Sequence, residues 1–335
     1  MTLKEIAKLL NISPSTVSRA LSNSYEVSEK TRLKVQALAN ELNFQPNPNA
    51  SSLRRNKNKT IAVILPDITN HFFAKVIEGI ETIAQQKGYH ILIYFTFENF
   101  IKEKNIIHHL SNGRVDGVII SLSAETQNFE HIQLLKDRNV PLVFFDRVSE
   151  NIVAAKITTD NYQAALKGTK HLLQKGCKKI AFLNFSNYSS TCVDRKKGYL
   201  DALNEAKITA NSALVLECTT NADENFELIK NLLNKNKNID AVLASAESLS
   251  IITYKACDSL GIKIPEKLKV LGFSNLSLAA QLSPALSTIT QPALEMGKEA
   301  ATVLFKSIEK PNVDYTDVVA IFKSTLIERK STSII

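Results

Sequence analysis

The chain has 335 residues, which is too long for one small domain and predicts two or three units. Its hydrophobic share of 44% and charged share of 22% are ordinary for a soluble globular protein. The formal net charge is +8, and residues 1–57 carry nine Lys and Arg against four acids, an excess of five. This uneven distribution predicts an N-terminal unit that binds an anionic partner such as nucleic acid.

The cysteines and the apolar runs of the sequence indicate the cellular compartment of the protein. The four cysteines are scattered and form no CxxC pair, so we expect small buried residues in a reducing compartment, not disulfides or a zinc site. The first residues follow a helical pattern and lack the apolar stretch of a signal peptide. No run approaches the roughly 18 apolar residues of a membrane span. We therefore expect a cytoplasmic protein with no membrane partner.

The first 45 residues predict a head of three short helices. Thr2 and Glu5 form the pattern of a capping box at the start of the first helix. Asn11 tolerates the left-handed backbone at a helix end, and Ser13 followed by Pro14 is typical of the start of a second helix. Two helices of about eight residues joined by a tight turn match helix-turn-helix geometry.

The outward face of the second helix carries groups that suit DNA. Ser15, Thr16 and Ser18 offer hydroxyls to phosphates or base edges, and Arg19 can grip guanine with two hydrogen bonds. A third helix begins after the capping residue Ser28 and closes a small core. The alternative is a generic helical hairpin with solvated hydroxyls, since helical hairpins are common.

Residues 46–58 are predicted to form a hinge with a short helix that orders on DNA. Two prolines prevent the third helix from continuing. Asn49 can cap a helix over residues 50–55, and about six residues are too few for a helix to be stable alone in water. Leu53 beside Arg54 suits the apolar wedge of a minor-groove binder. The alternative is a solvated linker with an incidental leucine.

These segments together resemble the LacI/GalR (lac repressor) family. The resemblance implies that the second helix reads the major groove, that Leu53 enters the minor groove, and that Ser28 and Thr31 lie at phosphates. Pro14 stands where the family varies with operator choice. The matching motifs are Thr2-Leu-Lys-Glu-Ile-Ala, Ser15-Thr-Val-Ser-Arg-Ala-Leu, Val27-Ser-Glu-Lys-Thr-Arg, and Pro46-Asn with Ala50-Ser-Ser-Leu53. The predicted DNA-binding residues are Thr2, Pro14, Ser15, Thr16, Ser18, Arg19, Ser28, Thr31, Asn47, Ala50, Leu53 and Arg54.

From residue 60 the pattern changes to short apolar runs that alternate with helical stretches. Strands that are apolar on both faces and alternate with helices indicate parallel sheets covered on both sides. The predicted fold class is an all-α helix-turn-helix head joined to an α/β core of two lobes with parallel sheets. The predicted units are the head 1–45, the hinge 46–58 and the core 59–335, with an N-lobe of about 59–158 and 287–317 and a C-lobe of about 159–286 and 318–335.

The core also resembles the LacI/GalR family, whose core is related in fold to periplasmic sugar-binding proteins. The resemblance implies that ligand binds in the cleft between the lobes, that the last segments cross back between them, and that the N-lobe forms the dimer contact. The matching segments are Pro66-Asp67, Asn70-His-Phe-Phe73, Phe145-Asp-Arg147, Asp160-Asn161, Arg195, Gly198-Tyr199, Gly261 to Pro265, Gly272-Phe273 and Ser287-Thr-Ile-Thr-Gln-Pro292.

Parallel sheets bind ligands beyond the carboxyl ends of their strands, which indicates candidate effector-binding residues. Phe73 can stack on a sugar or base, or it can be a core phenylalanine. Asp146 and Arg147 directly follow a strand and can bind hydroxyls or an anion, or they can be a solvated turn. Arg195 falls on the family's effector-binding arginine, and Ser121 ends another strand. The predicted effector-binding residues are Phe73, Ser121, Asp146, Arg147, Arg195, Glu247 and Ser274.

Two departures from the family change the expected charge of the cleft. Ala246-Glu247 stands where the family usually has Asn-Asp, and Ser274-Asn275 stands where it usually has Asp-Asp. The loss of a carboxylate beside Arg147 and Arg195 predicts a less acidic cleft. A phosphorylated or carboxylated ligand then becomes more plausible than a neutral sugar.

The leading hypothesis is a homodimeric DNA-binding transcription regulator, a repressor in the first instance, controlled by a sugar or sugar phosphate in the cleft. We expect it to bind a near-palindromic double-stranded operator and to need no metal or cofactor. The alternatives are a solute-binding protein of sugar transport and an α/β enzyme with an incidental basic head. The enzyme alternative lacks GxGxxG, P-loop and HExxH motifs, so we expect no catalytic activity.

Overall fold

The computed structural model describes residues 2–42, 44 and 58–333. The chain separates into two compact units, Met1–Asn58 and Lys59–Ile335. Within the part of the chain that the structure describes, no helix is both long enough and apolar enough to cross a membrane.

The first unit contains three helices, α1 (Leu3–Leu9), α2 (Pro14–Leu21) and α3 (Glu29–Glu41). The capping box forms as predicted, because the Thr2 amide donates to Glu5 Oε2 at 2.7 Å and the Glu5 amide donates to Thr2 Oγ1 at 3.4 Å. Asn11 has a left-handed φ of 52°, and Ser13 caps α2 by accepting from the Thr16 amide at 3.1 Å. The helices bury a small apolar core made of Ile6, Ala7, Val17, Ala20, Val27, Val35 and Ala39.

The second unit alternates strands and helices along its length. The elements in chain order are β1 (Thr60–Leu65), α4 (His71–Gln86), β2 (His90–Phe95), α5 (Phe100–Leu110), β3 (Val118–Ile120), α6 (Glu130–Asp137), β4 (Leu142–Phe145), β5 (Ala155–Thr159), α7 (Asn161–Gln174), β6 (Ile180–Asn184), α8 (Ser190–Glu205), β7 (Val215–Glu217), α9 (Ala222–Lys235), β8 (Ala241–Ala244), α10 (Glu247–Leu260), β9 (Lys269–Phe273), β10 (Ser287–Thr290), α11 (Ala293–Glu309), β11 (Val319–Phe322) and β12 (Thr325–Ile327).

These strands form two six-stranded sheets, one in each lobe. The first sheet has the order β11-β5-β4-β3-β1-β2 and the second has the order β12-β10-β9-β8-β6-β7. Every neighbouring pair is parallel except β10 and β12, which are antiparallel. The central strands β4 and β8 are buried at every position, because helices cover both faces. The structure thus has the predicted fold class.

The lobe boundaries differ from the prediction at two of the crossings. Residues 287–290 form β10, which pairs with β9 in the second sheet, although they were predicted in the N-lobe. Residues 319–322 form β11, which pairs with β5 in the first sheet, although they were predicted in the C-lobe. The chain therefore crosses between the lobes after β5, after β10, and between β11 and β12.

Candidate functional site

The outward face of α2 carries the predicted major-groove contacts. Pro14, Ser15 and Arg19 are exposed, whereas Thr16 and Ser18 are half-buried. The Arg19 guanidinium forms an ion pair with Glu26, with Nε 3.0 Å from Oε2. This pair is exposed, so water weakens it and a base or phosphate can take the place of Glu26 at low cost.

The residues predicted at phosphates lie at helix starts. Ser28 caps the thirteen-residue helix α3, and the Thr31 amide donates to its hydroxyl at 3.3 Å. A helix start of this kind favours an anion, because its free amides and its dipole both attract negative charge. Thr2 is exposed and caps α1. Tyr25 was not predicted, yet it is 94% exposed in the segment between α2 and α3, where a large aromatic side chain is available to a partner.

Four predicted DNA-binding residues lie outside the described residues, together with nearly all of the predicted hinge. They are Asn47, Ala50, Leu53 and Arg54.

A cavity of about 40 Å³ lies between the lobes, beyond the carboxyl ends of the parallel strands. Six of the seven predicted effector-binding residues line it, and the exception is Ser121, which is fully buried elsewhere. A water-sized group fills such a volume, so a monosaccharide can enter only after the surrounding side chains move apart. The lining residues are Asn70, Phe72, Phe73, Asp146, Arg147, Phe185, Thr191, Cys192, Arg195, Ser245, Ala246, Glu247, Phe273, Ser274, Asn275 and Gln291.

Arg147 reaches the cavity from the end of β4, and Glu98 neutralises it. Its Nη1 lies 2.6 Å from Glu98 Oε2 and its Nη2 lies 3.0 Å from Oε1, a two-point ion pair. Although burial alone opposes the charged form, the Glu98 carboxylate raises the pKa of Arg147 above its ordinary value. Glu98 was not among the predicted residues.

Arg195 lies on α8 and is buried, with 6% of its surface exposed. It donates to Asn161 Oδ1 at 2.8 Å and to the Ser245 carbonyl at 2.6 Å, and its guanidinium stacks 3.9 Å above the Phe273 ring. Burial lowers the pKa of Arg195, because the charged form loses its hydration. Among the described residues no carboxylate forms an ion pair with it, so its charge is available to a ligand.

Asp146 is buried beside Arg147, with Oδ2 4.0 Å from Arg147 Nε, and it has a left-handed φ of 56°. Burial raises the pKa of this carboxyl, and the positive charges of Arg147 and Arg195 oppose that rise. A buried carboxylate beside a guanidinium is a strong hydrogen-bond acceptor for hydroxyl groups.

Glu247 begins α10 and connects the two lobes across the cavity. Its Oε2 accepts from the Ser274 hydroxyl at 2.7 Å and from the Asn275 amide at 3.0 Å. Its Oε1 lies 2.9 Å from Nδ1 of His71, which stands at the start of α4 in the first lobe. Glu247 therefore supplies a carboxylate at the position where Ser274 and Asn275 lack one.

The expectation of a less acidic cleft is relative to the family, and it stays a prediction. Arg147 pairs with Glu98, and Glu247 places a carboxylate beside Ser274 and Asn275. The cavity is therefore lined by both carboxylates and guanidiniums, which weakens the argument for a phosphorylated or carboxylated ligand.

Phe73 is a core residue that also lines the cavity, and its stacking on a ligand stays a prediction. It is only 2% exposed, and its ring packs edge to face on Phe72 at 5.2 Å and on Phe145 at 6.2 Å.

The described residues contain no group of three or more His, Cys, Asp or Glu side chains arranged to hold a metal ion.

Two family models match the chain. Residues 2–47 match the bacterial regulatory proteins of the lacI family, and residues 58–329 match the periplasmic binding proteins and sugar binding domain of the LacI family.

Relatives of known name and solved structures agree with this match. The HTH-type transcriptional repressor PurR of Vibrio atlanticus strain LGP32 is 32% identical over 308 residues, which covers 92% of each chain. The ribose operon repressor of Haemophilus influenzae is 32% identical over 330 residues, or 98% of each chain. The fold is also that of the lac repressor dimer bound to operator and the anti-inducer ONPF, with a TM-score of 0.85, 24% identity and 99% coverage of both chains.

The head motif, the two-lobed core and the full-length similarity all agree, and these relatives are transcriptional repressors, not enzymes. The chain belongs to the LacI family of DNA-binding bacterial regulatory proteins.

Proposed function

We propose that this LacI-family repressor is controlled by a neutral monosaccharide that binds between the lobes and changes the affinity of the heads for operator DNA. The observation that carries this proposal is that carboxylates and guanidiniums line the cleft together. Asp146 and Glu247 can accept hydrogen bonds and Arg195 can donate them. Hydrogen bonds to neighbours hold Arg195 and Glu247 in place, and Asp146 is buried beside Arg147.

Sugar recognition needs this combination of groups. Neighbouring hydroxyls on a sugar ring donate and accept at the same time, so carboxylates and guanidiniums side by side match them better than a site of one charge does. Phe73 and Phe273 line the same cavity and can cover the apolar faces of the ring. The 32% identity to a ribose operon repressor supports an aldose, and a pentose such as ribose is the first candidate.

We infer that the repressor acts as a homodimer on a near-palindromic operator in the cytoplasm, where the DNA lies. The edge strand β2 of the first lobe exposes Leu92 and Ile93, with exposed fractions of 42% and 38%. Phe97 and Ile101 follow at 57% and 60%. A second copy of the chain that covers this apolar edge would bring two heads to two half-sites.

The test uses the full-length protein. Isothermal titration with D-ribose and a panel of other aldoses identifies the effector, and selection from random duplexes identifies the operator. We expect one neutral sugar to bind and to change the affinity for the selected duplex. If no neutral sugar binds, or if binding leaves the affinity for DNA unchanged, the proposal fails.

A further inference from the structure

Glu98 forms an ion pair with Arg147 that sugar binding alone does not require. We propose that Glu98 sets the charge selectivity of the cleft: by neutralising Arg147 it makes the cleft reject anionic ligands such as sugar phosphates. This inference rests on the proposed function, because it assigns the class of sugar that the same site accepts.

The geometry of the pair leaves Arg147 little capacity for an anion. Both terminal nitrogens of Arg147 face Glu98, at 2.6 and 3.0 Å, and Nη1 also donates to the Leu122 carbonyl at 3.3 Å. The side chains of Arg147 and Glu98 are only 11% and 10% exposed, so solvent screens the pair weakly. A phosphate that approaches Arg147 must displace Glu98 or stay beside an uncompensated carboxylate.

Glu98 is also fixed independently of Arg147. Its Oε2 accepts from the Ala124 amide at 2.7 Å, and its own amide donates to the Pro66 carbonyl at 3.2 Å. Because the Ala124 amide holds its carboxylate and the Pro66 carbonyl holds its backbone, Glu98 does not swing away when a ligand arrives.

The backbone at this turn adopts a conformation that non-glycine residues rarely take. Phe97 and Glu98 have φ values of 53° and 62°, two consecutive left-handed residues between β2 and α5. The turn is maintained because the Thr96 amide donates to the Leu65 carbonyl at 2.9 Å and Asn99 caps α5. Unfavourable backbone that the surroundings hold in place is concentrated at functional sites, and here it directs the Glu98 carboxylate at Arg147.

The two arginines of the cleft therefore differ in availability. Among the described residues Arg195 has only neutral hydrogen-bond partners, whereas Arg147 has a complete counter-charge. A neutral hydroxyl can share either guanidinium. An anion gains from Arg195 but meets Asp146, Glu247 and Glu98, and like charges act against it.

The experiment compares D-ribose and D-ribose 5-phosphate by isothermal titration on the full-length protein. We expect the wild type to bind the sugar and to bind its phosphate at least about tenfold more weakly. The substitution Glu98→Gln keeps the shape and the Ala124 contact but removes the charge. It should strengthen binding of the phosphate by about tenfold or more while affinity for ribose changes far less.

Two variants control for other effects. Glu125→Gln removes an exposed carboxylate that accepts from the Phe100 amide at 3.0 Å, and it should leave both affinities unchanged. The double variant Glu98→Gln with Arg147→Gln should lose the gained phosphate binding, since the freed guanidinium is absent. If circular dichroism shows that Glu98→Gln is unfolded, Glu98→Asp, which withdraws the charge from Arg147, should give a smaller gain.

The outcomes separate the two proposals. A wild type that binds the phosphate as tightly as the sugar, or folded Glu98 variants with unchanged selectivity, overturns the role of Glu98. If the wild type binds no neutral sugar, the proposed function fails instead. The role of Glu98 is then decided by whether inorganic phosphate binds Glu98→Gln more tightly than it binds the wild type.

Discussion

At the scale of single residues, the binding properties of the cleft depend on which groups each charged side chain contacts. Arg195 keeps its charge although it is 6% exposed, because Asn161, the Ser245 carbonyl and the face of Phe273 replace its water. Asp146 stays near it without forming an ion pair with it. These partners hold the guanidinium in one orientation before any ligand arrives, which reduces the entropy cost of binding.

We expect Arg195→Lys to weaken effector binding by about tenfold or more, because a charged hydrogen bond contributes about 1.5–3 kcal/mol and each decade of affinity is about 1.4 kcal/mol. Lysine keeps the charge but lacks the planar guanidinium that donates to Asn161 and Ser245 from two separate nitrogens. Isothermal titration with the effector found in the aldose panel measures the loss. Lys196→Gln is the matched control, since the next residue on α8 pairs with Glu217 outside the cavity. Unchanged affinity in Arg195→Lys would assign Arg195 a structural role.

The residues that follow the parallel strands could be predicted from the sequence, and their partners could not. Asp146, Arg147 and Ser274 follow strands directly, so the rule for parallel sheets located them. The ion pair of Arg147 with Glu98 spans 49 residues, and the contact of His71 with Glu247 spans 176. No local pattern encodes such pairs, so the partners of these charged side chains could not be predicted.

At the scale of elements, each lobe brings two helices together at a glycine. A Cβ on Gly79 of α4 would lie 2.2 Å from the Leu294 carbonyl oxygen of α11, and a Cβ on Gly297 would lie 2.2 Å from that of Val76. In the second lobe, a Cβ on Gly198 of α8 would lie 2.3 Å from the Tyr162 carbonyl oxygen of α7. Only glycine permits these backbones to approach so closely.

The substitution Gly79→Ala should therefore destabilise the first lobe. Overpacking typically costs about 1–3 kcal/mol, and here the obstacle is rigid backbone, so we expect at least the upper part of that range. Thermal and urea unfolding of the full-length protein measure the loss. Lys75→Ala, at an exposed position of the same helix, should stay within about 0.5 kcal/mol of the wild type. A stable Gly79→Ala protein would show that α4 and α11 can separate without cost.

The helix α7 is connected to the C-terminal segment by a histidine whose pKa is lowered. His171 is 9% exposed, and its Nε2 lies 3.1 Å from Thr332 Oγ1. Burial lowers the pKa of His171 from its ordinary value of 6.5, the nearby charge of Lys175 lowers it further, and Glu328 opposes both. The folded protein thus holds this proton less tightly than the unfolded chain does.

The sign of the pH effect follows from this difference. The contribution of His171 to stability is complete above the unfolded pKa of about 6.5 and is lost as the pH falls from there through the lower folded pKa. Melting temperatures at pH 8 and pH 5.5 should differ less in His171→Gln than in the wild type. An identical pH dependence in both proteins would exclude His171 as a source of acid sensitivity.

The central strands of the two sheets could be predicted from the sequence, but the points where the chain crosses between the lobes could not. The central strands are continuous apolar runs, a pattern typical of strands covered on both faces. The strands β11 and β12 are four and three residues long, and β11 alternates between exposed and half-buried positions. The sheet that each strand joins is decided by the pairing of β11 with β5 and of β12 with β10. These partners are distant in sequence, so the predicted lobe boundaries at residues 287 and 318 were misplaced.

At the scale of the whole molecule, the two lobes of the second unit lie close together and leave only a small cavity between them. Hydrogen bonds between described residues of the two lobes lie around the cavity of about 40 Å³. They link His71 to Glu247 at 2.9 Å, the Ser186 hydroxyl to the Ala124 carbonyl at 3.1 Å, and the Val148 amide to the Ser190 hydroxyl at 3.0 Å. A monosaccharide exceeds this volume, so we expect its entry to change the contacts between the lobes. We propose that this change alters the affinity of the heads for DNA.

Such a coupling is reciprocal, and this gives the last prediction. If the effector changes the affinity for the operator by some factor, the operator must change the affinity for the effector by the same factor, since both describe one thermodynamic cycle. Allosteric couplings of about 1–3 kcal/mol are typical, so we expect a factor of about 5–150. Operator affinity is measured with and without saturating effector, and effector affinity with and without saturating operator, at one salt concentration because DNA binding depends strongly on salt.

Residues 59–335 provide the control, because the first unit has its own core and forms a separate compact body. This fragment should bind the effector with the affinity of the free full-length protein, should not bind the operator, and should show no response to DNA. Two unequal factors in the full-length protein would mean that the sugar or the DNA also binds at a second site. If neither ligand changed the affinity for the other, sugar binding would not control operator binding. The cleft would then have a role other than regulation.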